Sequence, residues 1–288
     1  MARILITGAS GFVGRALKPA LTASGYAVTA LSRPDGDVTD AATWGRQPEV
    51  EHVVHLAGRS YVPDSWREPA AFIHANVTGT AQALDYCRAV GAHLVLASVA
   101  LFGAPRRLPV REDDAIEPAS PYALSKFLAE RACAFHAAAF AVPVTVVRLF
   151  NVFGPGQRGE FLIPSILRQA LAGEPIRVKA LDPRRDFVFV DDVVTALART
   201  LGQPRGLRVI NIGSGVSHSV QQVIDTIQAA AGTRLAVISE EEARPNEIPD
   251  VRADISRARK LLGWAPQVSF AEGIAKLVQA EGAANRAK

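Results

Sequence analysis

The sequence predicts an α/β fold in which a doubly wound parallel sheet is followed by a smaller C-terminal domain. Short apolar runs alternate with longer amphipathic stretches, which is the pattern of a parallel sheet with helices on both faces. Glycines spaced by three follow the first apolar run and lead directly into the first amphipathic stretch. Proline and glycine become denser after about residue 150, which indicates a second domain built partly from loops.

The order of elements follows from the hydrophobic periodicity. Apolar runs of strand length predict strands at 3–7, 27–32, 52–56, 93–97, 143–149 and near 208–212. Amphipathic or alanine-rich stretches predict helices at 12–23, 67–90, 121–140, 161–172, 191–202, 219–231 and 255–262. Because the alternation returns at 188–212, the two domains are predicted to interleave along the chain.

Composition argues against several classes of protein. The chain has 288 residues, 49% hydrophobic and 21% charged, so it can bury a large core. It has no apolar run of membrane-spanning length and no secretory leader, and Cys87 and Cys133 are expected to be buried free thiols, so a cytoplasmic location is expected. The six histidines lack metal-ligand spacing, so no metal site is expected. The net charge of +4 comes from dispersed basic residues, which suits anionic small ligands better than nucleic acid.

The glycine loop near the start of the chain predicts a dinucleotide site. Gly8, Gly11 and Gly14 lie between a predicted buried strand and a helix, where glycines permit a tight turn and a close approach of pyrophosphate to backbone N–H groups. The first residues of that helix are Phe12 and Val13. Glycines also occur in turns for conformational reasons alone, so the prediction depends on the position after the first strand of an α/β chain.

Ser98, Tyr122 and Lys126 predict the chemistry. Tyr122 and Lys126 are four residues apart, so a helix would place the phenol and the ammonium on one face. An unperturbed phenol has a pKa of about 10, and a neighbouring cation is expected to lower the pKa of Tyr122. The Ser98 hydroxyl could bind a substrate oxygen while Tyr122 transfers the proton. This set suits the interconversion of alcohol and ketone, which needs a hydride carrier.

Further motifs follow in a fixed order along nearly the whole chain. After the glycine loop come Gly36-Asp-Val-Thr-Asp40, His55-Leu-Ala-Gly58, Asn76-Val-Thr-Gly-Thr80, Ser98-Val-Ala-Leu-Phe-Gly103, Ser120-Pro-Tyr-Ala-Leu-Ser-Lys126, Arg148-Leu-Phe-Asn-Val-Phe-Gly-Pro155, Arg185-Asp-Phe-Val-Phe-Val-Asp191, Asn211-Ile-Gly-Ser-Gly215 and Arg244-Pro-Asn-Glu247. On these motifs the chain resembles the extended short-chain dehydrogenases/reductases of the nucleotide-sugar epimerase, dehydratase and reductase group. The stretches 58–69 and 154–158 are most similar to reductases of the GDP-4-keto-6-deoxymannose type.

This resemblance implies a Rossmann-type domain that binds NAD(P) and a smaller domain that binds a nucleotide-diphosphate sugar. The first would comprise 1–150, with 187–213 returning to it, and the second 151–186 and 214–288. It also implies a homodimer paired through a four-helix bundle, with Ser98, Tyr122 and Lys126 as catalytic residues. Besides the glycine loop, Tyr122 and Lys126, the implied coenzyme-binding residues are Asp37, Val38, Leu56, Ala57, Gly58, Asn76 and Phe150. The implied substrate-binding residues are Ser98, Asn151, Leu162, Arg185, Arg244 and Glu247. Asn76 is expected to hold a loop near the active site through backbone hydrogen bonds.

The end of the second predicted strand favours NADPH, although NAD(H) stays possible. NAD enzymes of this fold place a carboxylate there, on the ribose hydroxyls of the adenosine. This chain has Ser32 and Arg33, so a guanidinium is available for the 2′-phosphate of NADPH. Asp35 follows Pro34 and is expected to lie beyond the pocket. The alternative is that Arg33 is an ordinary solvated arginine.

The predicted reaction is NADPH-dependent reduction of the C4 ketone of a nucleotide-linked 4-keto-6-deoxyhexose. Dehydratases that resemble this chain carry an acid pair directly after the catalytic hydroxyl, whereas this chain has Val99 and Ala100, so dehydration is disfavoured. One alternative is a nucleotide-hexose 4-epimerase with tightly bound NAD. Another is a non-catalytic NADP(H)-binding regulator, which the intact Ser98, Tyr122 and Lys126 disfavour.

Overall fold

Parallel strands form the main sheet of the molecule. The computed structural model describes residues 1–100, 103–202, 205–241 and 248–286, with side chains up to 282. Within these residues the main sheet contains six strands: β1 (Arg3–Thr7), β2 (Ala27–Leu31), β3 (His52–His55), β4 (His93–Val99), β5 (Val144–Leu149) and β9 (Leu207–Ile212). Their spatial order is β2-β1-β3-β4-β5-β9 and every neighbouring pair is parallel. The chain therefore winds outwards in both directions from β1 and β3, and at such a switch point open α/β sheets bind their ligands.

Helices cover both faces of this sheet. Over the whole molecule, the helices of the described residues are α1 (Phe12–Ala23), α2 (Ala41–Gly45), α3 (Val62–Arg67), α4 (Pro69–Ile73), α5 (Gly79–Val90), α6 (Pro121–Ala139), α7 (Leu162–Ala172), α8 (Val190–Thr200), α9 (Val220–Ala231), α10 (Ser256–Leu262) and α11 (Phe270–Arg286). Ile4 and Ile6 of β1 join one core with α1 and α8, whereas Leu5 joins a second core with α5 and α6. Alternate residues of one strand thus face opposite layers, as a sheet buried on both sides requires.

A third core lies under a smaller set of strands in the C-terminal part of the chain. These strands are β6 (Asn151–Phe153), β7 (Ile176–Val178), β8 (Arg184–Phe189), β10 (Ser217–Ser219), β11 (Val237–Ser239) and β12 (Asp250–Val251). β8 pairs with β6, β10 and β12, while β7 pairs with β11. Between β8 in this sheet and β9 in the main sheet, α8 packs against α1, so the chain crosses from one sheet to the other.

One predicted helix is wrong as a single element. The stretch 67–90 is divided into the end of α3, then α4, a π-helical turn at His74–Thr78, and α5. Pro69 begins α4, since proline lacks the N–H that a continuous helix would need there. The π turn contains Asn76, whose side chain makes contacts described below, and such turns are frequent at functional sites.

Candidate active site

The glycine loop brings three backbone segments into close contact. Gly8 has a φ of 68°, and a Cβ atom there would lie 2.7 Å from the backbone nitrogen of Ala57, which follows β3. A Cβ atom on Gly14 would overlap the carbonyl oxygen of Gly8. The N-cap of α1, Gly11, provides no side-chain hydrogen bond, and the first turn has no acidic residue. The N–H groups of Phe12 and Val13 therefore point from an uncapped helix N-terminus, which fits the pyrophosphate of a dinucleotide.

The end of β2 carries both a guanidinium and a carboxylate. Arg33 is exposed and begins a 3₁₀ turn over Arg33–Asp35. The backbone N–H of Ser32 donates to Oδ2 of Asp35 at 2.8 Å, and the N–H of Asp35 donates to the carbonyl of Ser32 at 2.9 Å. Asp35 was expected to lie beyond the pocket, whereas the turn folds its carboxylate back against Ser32 at the end of β2.

Asp37 and Val38 lie beside the next turn. Oδ1 of Asp37 accepts from the N–H and the hydroxyl of Thr39, both at 2.8 Å, and these bonds hold the pKa of Asp37 below its usual value. The carbonyl of Val38 accepts from the indole N–H of Trp44 at 2.8 Å. Both residues are thus fixed in the segment that follows the second strand.

Ser98 has a buried hydroxyl without a partner. It lies near the C-terminal end of β4, is 1% exposed, and its Oγ makes no hydrogen bond within the described part of the chain. Buried polar groups are almost always paired, so such an atom requires an explanation. A substrate oxygen bound at this edge of the sheet would supply the missing partner.

Tyr122 and Lys126 lie at the start of α6, which packs against β4. Pro121 is the first helical residue, and the Ser120 hydroxyl accepts from the N–H of Ala123 at 3.1 Å, so the sequence fixes where the helix begins. The ring of Phe72 meets that of Tyr122 nearly perpendicularly, with centroids 6.1 Å apart.

The expected lowering of the Tyr122 pKa is not found. Burial raises the pKa of Tyr122, because the low-polarity surroundings disfavour the phenolate. Burial also lowers the pKa of Lys126, to about 8. In the protein alone, therefore, Tyr122 is a protonated phenol at neutral pH and suits the role of proton donor.

Asn76 connects this helix to the loop after β3. Its Nδ2 donates to Oγ of Ser125 at 2.8 Å and to the carbonyl of Arg59 at 3.0 Å, while its Oδ1 accepts from the N–H of Arg59 at 2.9 Å. The Ser125 hydroxyl in turn donates to the carbonyl of Tyr122 at 2.7 Å. Asn76 thus holds the loop containing Gly58 against the turn of α6 that carries the catalytic candidates.

Two of the expected substrate-binding residues, Asn151 and Arg185, lie on neighbouring strands of the smaller sheet. Asn151 begins β6, and its Nδ2 donates to the carbonyl of Asp186 at 3.2 Å. Arg185 lies next to Asp186 on β8, and its Nη1 donates to the carbonyl of Ile248 at 2.7 Å. The buried carboxylate of Asp186 accepts from backbone N–H groups of Ser214, Gly215 and Ala253, which fixes this strand. Leu162 is the first residue of α7.

The remaining residues expected to bind coenzyme or substrate lie in other parts of the molecule. Phe150, which follows β5, is buried in the core shared by β1, α1 and α8. Leu56, Ala57 and Gly58 form the segment after β3 that faces Gly8 and Asn76. Arg244 and Glu247 lie outside the described residues.

A loop at 154–161 joins the two parts of the molecule across this region; we call it the bridging loop. Arg15 of α1 donates from Nη2 to the carbonyl of Gly156 at 2.7 Å and from Nη1 to the carbonyl of Ser10 at 3.2 Å. At the other end, the rings of Tyr61 and Phe161 meet edge to face at 5.7 Å, and the Arg158 guanidinium lies 5.6 Å from the Tyr61 ring centre. The bridging loop is therefore attached both to the glycine loop and to the segment after β3.

Sequence reasoning missed a buried ion pair behind the catalytic candidates. Glu130 lies four residues after Lys126, and Arg148 is on β5; their closest atoms are 2.7 Å apart. The sequence contains a pattern that indicates Glu130: Tyr122, Lys126 and Glu130 are spaced by four residues and therefore lie on one face of a helix.

No group of three or more His, Cys, Asp or Glu side chains suited to a metal ion is found among the residues that the structure describes. Over the same residues, none of the helices combines the length and the apolar character needed to cross a bilayer.

Comparison with known proteins places the chain in a family. Residues 4–213 match the model of the NAD dependent epimerase/dehydratase family. The chain is 32% identical over 287 residues to the GDP-6-deoxy-D-mannose reductase of Pseudomonas aeruginosa, covering 94% of both chains. It is 33% identical over 309 residues to the UDP-glucose 4-epimerase of Mycolicibacterium smegmatis, covering 96% of this chain and 97% of that protein.

A solved structure agrees with these matches. RMD from Pseudomonas aeruginosa complexed with NADPH superposes with a TM-score of 0.90 at 29% identity, covering 99% of this chain and all of that one. The Rossmann-type α/β fold and the resemblance to extended short-chain dehydrogenases/reductases are thereby confirmed. The chain belongs to the NAD dependent epimerase/dehydratase family, whose enzymes use a nicotinamide dinucleotide.

Proposed function

We propose that the protein reduces the C4 ketone of a nucleotide-linked 4-keto-6-deoxyhexose with NADPH. The observation that carries this proposal is the end of β2, where Ser32 is followed by the exposed guanidinium of Arg33. A planar guanidinium can bind the 2′-phosphate that distinguishes NADPH from NADH. The similarity to a reductase, and to a structure that contains NADPH, supports the same choice.

The residues present fit such a coenzyme. The glycine cradle would be filled by any Cβ atom at Gly8, and the uncapped start of α1 would receive the pyrophosphate. Lys126 would bind the ribose of the nicotinamide, and Asp37, Val38 and the segment after β3 would line the rest of the site. When bound, the reduced nicotinamide supplies the hydride.

The chain's own residues would manage the proton and the ketone. Tyr122, whose pKa is raised by burial, would be protonated at neutral pH and would donate its proton to the carbonyl oxygen. The buried, unpartnered hydroxyl of Ser98 would hold the same oxygen. Val99 and Ala100 offer no acid or base for the elimination of water.

The nucleotide diphosphate would bind to the smaller sheet. Arg185 of β8 and Asn151 of β6 lie on neighbouring strands, and arginine pairs well with phosphate. The backbone at the start of α7, at Leu162, would supply a further donor. Arg244 and Glu247 are proposed as additional contacts on the resemblance alone.

A 4-epimerase with tightly bound NAD is a second candidate. It is favoured by Asp35, because the 3₁₀ turn holds that carboxylate at the end of β2, where it would repel a 2′-phosphate. A relative of comparable identity is an epimerase. An epimerase returns each hydride to its substrate and therefore consumes no coenzyme.

An assay of coenzyme content and turnover with the purified protein distinguishes the reductase from the epimerase. We expect exchangeable NADPH and stoichiometric loss of reduced-nicotinamide absorbance with a nucleotide-linked 4-keto-6-deoxyhexose. A stable nucleotide hexose, given in parallel, should leave the absorbance and the sugar unchanged by chromatography. Retained NAD, with conversion of the hexose to its C4 epimer and no net coenzyme oxidation, would replace the reductase by the epimerase.

We also propose that the protein is a homodimer. Leu124, Leu128 and Phe135 of α6 are 44%, 37% and 61% exposed, and all three are large apolar side chains on one helix. Exposed apolar surface of this kind often marks an interface. The chain has a mass of 30.6 kDa, and light scattering after size exclusion should give twice that value. A measured mass equal to that of one chain at micromolar concentration would refute the proposal.

A further inference from the structure

Three charged or titratable side chains form a row on the inner face of α6. Tyr122, Lys126 and Glu130 follow one another at intervals of four, so their side chains lie on one face of the helix. Lys126 and Glu130 are 7% and 6% exposed. Residues four apart on a helix have Cβ atoms about 5–6 Å apart, so Glu130 lies one helical turn from Lys126 within a buried site.

Arg148 of β5 holds the Glu130 carboxylate from the side of the sheet. Its Nε donates to Oε1 at 3.1 Å and its Nη2 to Oε2 at 2.7 Å, a paired geometry, while Nη1 donates to the carbonyl of Glu112 at 2.9 Å. A buried carboxylate is tolerated as an anion when a cation and hydrogen bonds replace its lost hydration. Glu130 is therefore a fixed negative charge behind Lys126.

The other groups around Lys126 do not replace this charge. On α6 they are Tyr122 and Cys133, whose pKa values are raised by burial, and from β3 comes His55, whose pKa of about 3 keeps it neutral. Arg148 carries a positive charge. Burial lowers the pKa of Lys126 to about 8, and Glu130 is the largest influence that opposes this lowering. Without Glu130 the ammonium would lose its proton closer to neutral pH.

We propose that Glu130 is a positioning residue that acts through Lys126: its carboxylate, held by Arg148, keeps Lys126 as an ammonium ion at the nicotinamide ribose. The role of Lys126 rests on the proposed function, whereas the charge relation between the two side chains is independent of any substrate. If the role of Glu130 were purely structural, it would stabilise only Arg148, and its contribution would not depend on whether Lys126 is protonated.

A double-mutant cycle on the coenzyme-free protein separates these roles. Urea midpoints are measured for the unchanged protein, Glu130→Gln, Lys126→Met and the double variant, at pH 6.5 and pH 9.5. We expect Glu130→Gln to lower the midpoint more when Lys126 is present and charged than in the Lys126→Met background, and this excess to disappear at pH 9.5, where Lys126 is neutral. The loss of the Arg148 partner occurs in both backgrounds and cancels.

A second variant tests the proposal in case Glu130→Gln, which leaves Arg148 without its carboxylate partner, does not fold. Glu130→Gln combined with Arg148→Met removes the ion pair as a unit, which is often tolerated where breaking it is not. In this variant the pH above which NADPH affinity, followed by fluorescence, declines should move down by less than the ~1 unit that marks the lower end of the effect of a nearby opposite charge, because the positive charge of Arg148 is removed together with the carboxylate. The matched Lys126→Met protein should show no such decline. Equal Glu130→Gln effects in both backgrounds at both pH values, with an unmoved binding profile, would overturn the proposal. That result would leave the reductase assignment intact, since it is tested by product formation.

Discussion

At the scale of single residues, the site combines a polar group without a partner and a phenol in apolar surroundings. Ser98 Oγ is buried and makes no hydrogen bond within the described residues, while burial raises the pKa of Tyr122. The unpartnered Ser98 hydroxyl opposes stability in the protein alone, whereas the surroundings of Tyr122 disfavour only its phenolate form. Both are useful if a carbonyl oxygen enters between them, because a hydroxyl and a protonated phenol are then two donors for one acceptor.

Tyr122→Phe should therefore abolish most turnover while leaving coenzyme binding nearly unchanged. Phenylalanine keeps the ring contact with Phe72 and removes only the transferable proton. General acid catalysis is typically worth about 10²–10⁴-fold, so kcat should fall by that factor. Single-turnover kinetics and NADPH titration provide the two measurements, with Tyr26→Phe as the matched control. A variant that retains more than about a tenth of the rate would exclude Tyr122 as the proton donor.

Coenzyme choice should respond in opposite ways to two neighbouring changes. Arg33→Ala is expected to weaken NADPH binding by about 1.5–3 kcal/mol and NADH binding far less, because a charge-assisted pair with the 2′-phosphate is lost. Asp35→Asn retains an acceptor for the Ser32 N–H and should strengthen NADPH binding, because it removes the repelling carboxylate. Calorimetric titrations of both coenzymes decide the matter: equal losses for NADPH and NADH in Arg33→Ala would mean that Arg33 is not the discriminating residue.

At the scale of elements, the bridging loop at 154–161 connects segments that are far apart in sequence. Arg15 holds it at Gly156, and Tyr61 holds it at Phe161, so it spans the edge of the sheet where the strands end. Glycine at positions 154 and 156 has φ values of 152° and 81°, which other residues rarely adopt. A net reductase must exchange coenzyme at every turnover, so attachments beside the glycine loop are expected to slow that exchange.

Tyr61→Ala should accelerate coenzyme release. It removes an aromatic pair with Phe161 and the contact with the Arg158 guanidinium, and an aromatic pair alone is worth about 0.5–1.5 kcal/mol. A loss of about 1 kcal/mol corresponds to a roughly fivefold faster dissociation of NADPH. Stopped-flow displacement measures that rate, and Tyr61→Phe, which keeps the ring, is the control. Unchanged release from Tyr61→Ala would show that the bridging loop does not limit exchange.

The same scale shows what the sequence could predict. The strands of the main sheet are mostly apolar, α1 and α9 are amphipathic and α6 is rich in alanine, so their positions were predicted to within one or two residues. The smaller sheet was not foreseen, because strands of two to six residues such as β8, β10 and β12 include arginine, aspartate and serine and show no period. Within 67–90 the break at Pro69 can be read from the sequence, whereas the π turn that contains Asn76 cannot, because the contacts of Asn76 with Arg59 and Ser125 are tertiary.

The site was predictable to a similar extent. Its motif residues lie at strand ends and at the start of α6, where local sequence fixes the backbone. The folding back of Asp35 and the raised pKa of Tyr122 depend on a turn hydrogen bond and on burial, and neither can be read from spacing.

At the scale of the whole molecule, burial of titratable groups links stability to pH. His55 and His93 are buried in the main sheet, and burial lowers the pKa of each to about 3. Nε2 of His93 is hydrogen-bonded to the Thr145 hydroxyl at 2.9 Å. Nδ1 of His93 lies 3.3 Å from Nδ1 of His52, and burial also lowers the pKa of His52. Between pH 6.5 and pH 3 the unfolded chain binds protons at these positions and the folded chain does not. The free energy of unfolding therefore falls as the pH is lowered through that range.

His93→Gln should accordingly reduce the acid sensitivity of the fold. At pH 5 a histidine with an unfolded pKa near 6.5 and a folded pKa near 3 has lost about 2 kcal/mol of stabilisation. Glutamine keeps a polar group for Thr145 but does not titrate, so the variant should lose about that much less between pH 7 and pH 5. Urea unfolding at both pH values measures the difference, above the range in which carboxylates titrate. The exposed His74→Gln serves as control and should follow the unchanged protein. Parallel losses in His93→Gln and the unchanged protein would mean that His93 does not couple folding to pH.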